Sequence, residues 1–145
     1  MSSRARSNRG DFKVWRTHST RWADNDAYGH VNNVVYYEWF DSAVNAWLVS
    51  EGLLDIVAGD PIALVVETRC NYWEPLAFPA DVEVGLGIEH LGTSSMRYRI
   101  GIFAEGENDA AAEGHFVHVM VDRTSRRSVP IPEQWRAALE AIRAD

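Results

Sequence analysis

Cysteine is nearly missing from this chain. The single one, Cys70, leaves no internal disulfide to form and no multi-cysteine zinc site to build. Long apolar runs are missing too. No stretch approaches the roughly 20 residues that span a membrane, so no membrane partner is expected. The first ten residues, MSSRARSNRG, are basic but lack the apolar core of a secretory signal. Positive charge is in deficit: 14 Lys and Arg against 21 Asp and Glu leave a net charge of −7. A nucleic-acid partner, which usually needs a basic face, is disfavoured. Low-complexity linkers and internal repeats are absent. A cytoplasmic protein without metal or cofactor is the expectation from these absences.

What is present is a core. The chain has 145 residues, 46% of them hydrophobic and 11% aromatic. That is enough for one domain with a sizeable interior, and too apolar for a disordered chain. Residues 12–145 are expected to form that domain. Residues 1–11 read as a flexible tail, because nothing in them could pack.

Periodicity then assigns elements. Residues 12–22 read as a first strand. From Asn33 the pattern turns helical, with Tyr37, Phe40, Val44, Trp47, Leu48 and Glu51 at spacings of three and four. Asn32 or Asn33 can cap its start and Gly52 can end it. Residues 62–73 form a β-prone run, and Pro75 and Pro79 bracket a bend. Val82, Val84, Leu86 and Ile88 alternate with Asp81, Glu83 and Glu89. Met96, Tyr98, Ile100 and Ile102 alternate with Arg97 and Arg99. Phe116, His118 and Met120 oppose Val117, Val119 and Val121, and Pro132 opens a short last helix. Consecutive strands with short links pair antiparallel. The pattern predicts an α+β fold, one antiparallel sheet with one main helix packed on it.

The densest chemistry lies before that helix: Asp24, Asn25, Asp26, Ala27, Tyr28, Gly29, His30, Val31, Asn32, Asn33. A helix N-terminus offers unpaired N–H groups and a positive dipole end, which can hold an oxygen gaining charge. A carboxylate a few residues upstream could then serve acyl transfer as nucleophile or base. Asp, Asn and Gly are also ordinary turn residues. Their number argues against that plain reading, since a tight turn needs one or two and this stretch has six.

The stretch DNDAYGHVNNVVYYEWF resembles the D-x-D-x-x-G-H-V-N-N-x-x-Y motif of hotdog-fold acyl-CoA thioesterases, in the 4-hydroxybenzoyl-CoA thioesterase-like branch. NYWEPLAFPADVEVGLGIEHLGTSS and VMVDRTSRRSVPIPE are similar to later segments of that family, in the same order. The resemblance covers residues 13–133. It implies a long central helix wrapped by one antiparallel sheet of five to six strands, in a homodimer or homotetramer. It implies an acyl-CoA substrate. Asp26 takes the position of the catalytic aspartate. Gly29 matches the glycine that lets the chain pass close to the substrate. Asn33 stands where a backbone N–H polarises the thioester carbonyl, and Asp24 is expected to be structural. Tyr28, His30, Tyr36, Thr93, Ser94 and Ser95 are the expected substrate contacts.

Two rivals stay open. A hydratase or dehydratase of enoyl thioesters would need a paired His and carboxylate, for which His30 and Asp26 could stand. A non-catalytic acyl-CoA-binding module would keep the fold alone. Arg97, Arg99, Arg123, Arg126 and Arg127 are candidates for the CoA phosphates, because guanidinium groups bind phosphate well; ordinary surface charge is the plain reading. Glu67 reads as a solvated strand residue and Cys70 as a small buried one. His115 and His118, three apart on a strand, face opposite ways and do not share a metal.

Overall fold

The computed structural model describes residues 6–143. Five strands form one sheet: β1 (Val14–Ser19), β2 (Ile62–Tyr72), β3 (Asp81–Leu91), β4 (Ser95–Ala104) and β5 (Ala112–Val121). Their spatial order is β1-β3-β4-β5-β2, and every neighbouring pair is antiparallel. The long helix α1 (Asn33–Ser50) packs on one face, and a short helix α2 (Glu133–Ala141) follows β5. This is the expected hotdog arrangement.

Local chemistry sets the ends of α1. Of the two possible caps the chain uses Asn32, whose Oδ1 accepts the Val34 N–H at 3.1 Å. At the other end Gly52 has φ +71°, Gly52 N–H donates to Val49 and Leu53 N–H donates to Leu48. These two bonds form the Schellman stop, which needs a left-handed residue where Gly52 stands. The buried face of α1 is Val35, Tyr36, Trp39, Phe40, Ala43, Val44, Trp47 and Leu48. The expected stripe is therefore rotated. Tyr36 and Trp39 point inward, while Tyr37 is partly exposed and Glu51 is the C-cap. On the sheet side this face meets Val82, Val84, Leu86, Met96, Tyr98 and Phe116, among others. Gly114 on β5 lets the helix come this close, since a Cβ there would collide with the Phe40 ring.

The N-terminal residues depart from expectation. Strand β1 begins at Val14, and the segment before it is docked. Ser7 is buried, its carbonyl accepts Ala110 N–H at 2.9 Å, and Arg9 N–H donates to Asn108. Phe12 fills the opposite sheet face with Phe103 and Ala110, lying over Gly85 and Gly101 where a Cβ would strike its ring at 2.7 Å. Within the expected tail, residues 6–11 are docked, because Ser7 and the adjoining Phe12 find partners far along the chain. Residues 1–5 of that tail lie outside the described residues. Among the described residues, no helix is long and apolar enough to cross a membrane.

Candidate active site

Between β1 and α1 the chain builds a small closed loop. Asp26 N–H donates to the His30 carbonyl at 2.8 Å, Gly29 N–H donates to the Asp26 carbonyl at 3.1 Å, and Asn25 bridges Val31. Gly29 closes the turn at φ +80°, and a Cβ there would meet no protein atom within 4 Å. Within the chain, conformation rather than space demands glycine. The Asp26 carboxylate is fixed by its own loop, since Oδ1 accepts the Tyr28 N–H at 2.8 Å. Its other oxygen has no protein partner among the described residues.

Beneath the loop sits Asp24, 1% exposed. Its Oδ2 accepts the Arg21 N–H at 2.8 Å, and its Oδ1 accepts the Arg21 guanidinium at 2.9 and 2.7 Å. Its carbonyl accepts Asn32 N–H at 2.8 Å, tying the helix start to the loop. The structural role expected of Asp24 rests on these bonds. Two further bonds join the loop to the segment leaving β2: Val31 N–H to Leu76 at 2.7 Å, and Phe78 N–H to Asn25 Oδ1 at 3.1 Å.

The result is an open cleft of about 680 Å³. Asp26, Tyr28, His30, Asn33 and Tyr36 line one side, and Tyr72, Trp73, Glu74 and Pro75 the other. Asn33 N–H, at the first turn of α1, has no acceptor among the described residues. Tyr28 stands out at 86% exposure, whereas Tyr36 is buried against Trp39 (5.3 Å) and Tyr72 (5.0 Å), edge to face. Burial, with the Cys70 thiol beside it, pushes the Tyr36 hydroxyl up to about 12. Tyr72 is about half exposed as a residue, but local desolvation of its hydroxyl, with Cys70 and Tyr37 adding to the effect, raises it well above its usual range. These phenols are hydrogen-bonding walls and not acid–base groups at neutral pH. A carboxylate with a free oxygen, an open N–H at a helix start and aromatic walls can together polarise and attack a carbonyl.

Residues 20–139 match the thioesterase-like superfamily. The chain belongs to that superfamily. Thioester hydrolysis is the chemistry its membership supports. The protein PA5185 of Pseudomonas aeruginosa strain PAO1 is 48% identical, with a TM-score of 0.93 over 97% of this chain and 99% of that one. PA2801 of Pseudomonas aeruginosa, a candidate thioesterase by description, is 33% identical, covering 86% and 95% of the two chains at TM-score 0.79. Slr0204 of Synechocystis, a 1,4-dihydroxy-2-naphthoyl-CoA thioesterase, is 22% identical over 86% and 93% at TM-score 0.78, a likeness of fold. No curated protein matches.

Not every expected contact enters the cleft. Thr93, Ser94 and Ser95 lie at the other end of the sheet. Ser95 pairs with Val119 and Tyr72 with Ala112, seven positions apart along β5 and thus about 23 Å away. Backbone bonds hold that turn: the Thr93 carbonyl accepts Ile131 N–H, and the Ser94 carbonyl accepts Met120 N–H. Arg99 is committed to Glu113 (2.8 Å) and Ser7 (2.6 Å), with Phe12 under its guanidinium. It is withdrawn from the phosphate candidates. Arg123 donates to the Gly59 carbonyl at 2.8 Å, and Arg126 and Arg127 sit on an exposed turn. Glu67 is exposed on β2, as expected. His115 pairs with Glu89 at 2.7 Å while His118 is buried, so the two are apart. Burial raises the Cys70 thiol to about 11, which disarms it as a nucleophile. The sequence reading missed Tyr72, Trp73 and Glu74 as cleft residues. The only signal was two aromatics and an acid next to Pro75.

Proposed function

We propose that the protein hydrolyses an acyl-CoA thioester to free acid and CoA, with Asp26 as nucleophile or general base. The observation that supports this most is that Asp26 and Asn33, the first residue of α1 with an N–H that finds no acceptor among the described residues, line one cleft. The thioester carbonyl oxygen would point at that N–H, where the 18-residue helix presents its positive end to the developing oxyanion. As base, Asp26 takes a proton from water, whose oxygen adds to the carbonyl carbon. The C–S bond then breaks and the CoA sulfur leaves to be protonated. As nucleophile, its carboxylate forms a mixed anhydride that water opens, with the same products. Tyr28, His30 and Tyr36 line the acyl path.

The D-x-D-x-x-G-H-V-N-N pattern favours the 4-hydroxybenzoyl-CoA thioesterase-like branch within the superfamily. A cytoplasmic homodimer or homotetramer is part of the reading. The eleven-residue strand β2 is a sheet edge with Val65, Val66 and Tyr72 exposed, and a second copy pairing there would cover it. The Thr93–Ser95 turn and Arg123, Arg126 and Arg127 share the sheet end away from the cleft. Their contact with a CoA tail calls for cleft and turn from different copies.

The test is thiol release from a panel of short, long, branched and aromatic acyl-CoAs. Asp26→Asn should lower kcat at least ~100-fold, the scale of a lost base or nucleophile. Equal rates for wild type and variant would sink the mechanism. Loss of enoyl absorbance from crotonyl-CoA would instead mark a hydratase, and tight binding without turnover a binding module.

A further inference from the structure

The cleft lining holds a second carboxylate residue, Glu74, besides Asp26, and among the described residues no lysine or arginine. A cation reaches it from outside. Arg6, in the segment expected to be loose, forks onto the Ala110 carbonyl through Nε (3.1 Å) and Nη2 (2.8 Å). The same Nη2 lies 3.3 Å from Glu74 Oε2, and the guanidinium stacks over Trp73 at 5.8 Å. Trp73 and Glu74 N–H groups both donate to the Ala111 carbonyl, at 2.8 and 3.1 Å. Arg6 is thus anchored one residue from the backbone that fixes this wall. Its charge has a defined partner, and that partner belongs to the cleft lining.

We propose that the Arg6–Glu74 pair is a charge-selectivity element of the cleft, and that the acyl group it admits carries no carboxylate. This rests on the acyl-CoA reading above. The neighbours of Glu74 in the wall are Trp73, Pro75 and, through Tyr72, the edge-to-face pair with Tyr36. They are surfaces for an apolar chain or ring. A carboxylate on the acyl group would meet Asp26 on one side and Glu74 on the other. Arg6 offsets only Glu74. Removing Arg6 exposes the Glu74 charge and sharpens rejection of an anionic acyl group, while removing the Glu74 charge leaves Arg6 to attract one.

The experiment is calorimetric binding of the non-hydrolysable thioether analogues of butyryl-CoA and succinyl-CoA, which share the CoA moiety and differ in acyl charge. Wild type should bind the butyryl analogue more tightly. Arg6→Ala should widen the ratio of the two dissociation constants about 5-fold at low salt, the size of one exposed charge at contact range. Glu74→Gln should narrow it, and Arg6→Ala with Glu74→Gln should return it near the wild-type value. Arg6→Lys, which keeps the charge, should leave the ratio in place. A purely structural role would weaken both analogues together, so a ratio unmoved by Arg6→Ala overturns the proposal. Should Arg6→Ala fail to fold, an unmoved ratio in Glu74→Gln overturns it equally. Binding of both analogues by a wild type that hydrolyses no acyl-CoA counts against the proposed activity alone. Binding of neither overturns both.

Discussion

Replacing Asp24 separates two ways in which a buried carboxylate could hold the site loop. Three Arg21 donors converge on its two oxygens, one of them the Arg21 backbone N–H at 2.8 Å. The guanidinium is open to solvent, so its share of the holding is small and salt-screened. The backbone bond is different, because its acceptor belongs to a side chain 1% exposed. Asp24→Ala leaves that N–H without its acceptor and opens a gap below the loop, a cost of about 2 kcal/mol. Asp24→Asn keeps an oxygen on the N–H and turns its amide toward the guanidinium, which can swing into water, so it costs under about 1 kcal/mol. Urea midpoints at constant m-value measure both. The backbone carbonyl of Asp24 anchors the start of α1 and would shift with a loop that Asp24→Ala has released, so this variant should also lower kcat, by about tenfold for a misplaced group. Equal destabilisation by Asn and Ala would refute the reasoning, because charge and not the backbone acceptor would then hold the loop.

Three further outcomes follow from the same geometry. Gly29→Ala should cost about 1–2 kcal/mol in unfolding free energy purely through its positive φ, since a Cβ there touches nothing; Gly29→Asn should cost less in the same melt. Burial lowers His118 from 6.5 to about 4. The unfolded chain therefore takes up a proton below pH 6.5 that the folded chain refuses. Stability is full above 6.5 and falls by about 3 kcal/mol on the way to pH 4, and unfolding curves of His118→Phe should lose that slope apart from the smaller share of His18, which burial also lowers. Cys70→Ser should keep thioesterase activity, and thiol-blocking reagents at pH 7.5 should leave the wild type active, because burial raises the thiol to about 11.

Sequence pattern was most legible where one residue decides a local geometry. Asn32 and Gly52 mark the ends of α1 because caps and left-handed stops depend on one or two side chains. The alternation in β3 and β4 is clean because one sheet face meets α1. It failed where a residue's fate depends on a partner far along the chain. Arg99 alternates as a surface residue should, yet Glu113 and Ser7 claim it. Ser7 itself looks like tail until Ala110 arrives to receive it. The rotation of the α1 stripe has the same cause. Tyr36 and Tyr37 are equally apolar in pattern, and it is Tyr36 that turns inward, where Trp39 and the distant Tyr72 pack edge to face on it.

The site shows that dependence most clearly. Its first half, Asp24 to Tyr36, is contiguous, so the spacing of Asp26 from the helix start could be read directly. Its second half, Tyr72 to Pro75, follows β2 and is separated from the first by the whole of α1. The two halves meet through Val31 N–H on Leu76 and Phe78 N–H on Asn25. Both are bonds of backbone donors, and no side-chain pattern records the first. A one-residue slip of β2 against β5 would turn Tyr72 to the other sheet face and take Trp73 and Glu74 off the Ala111 carbonyl, dismantling the cleft while leaving the D-x-D-x-x-G-H-V-N-N loop whole. In the proposed reading the loop supplies the reacting groups, while the wall that meets the acyl group depends on the strand register that places Trp73 and Glu74 on the Ala111 carbonyl.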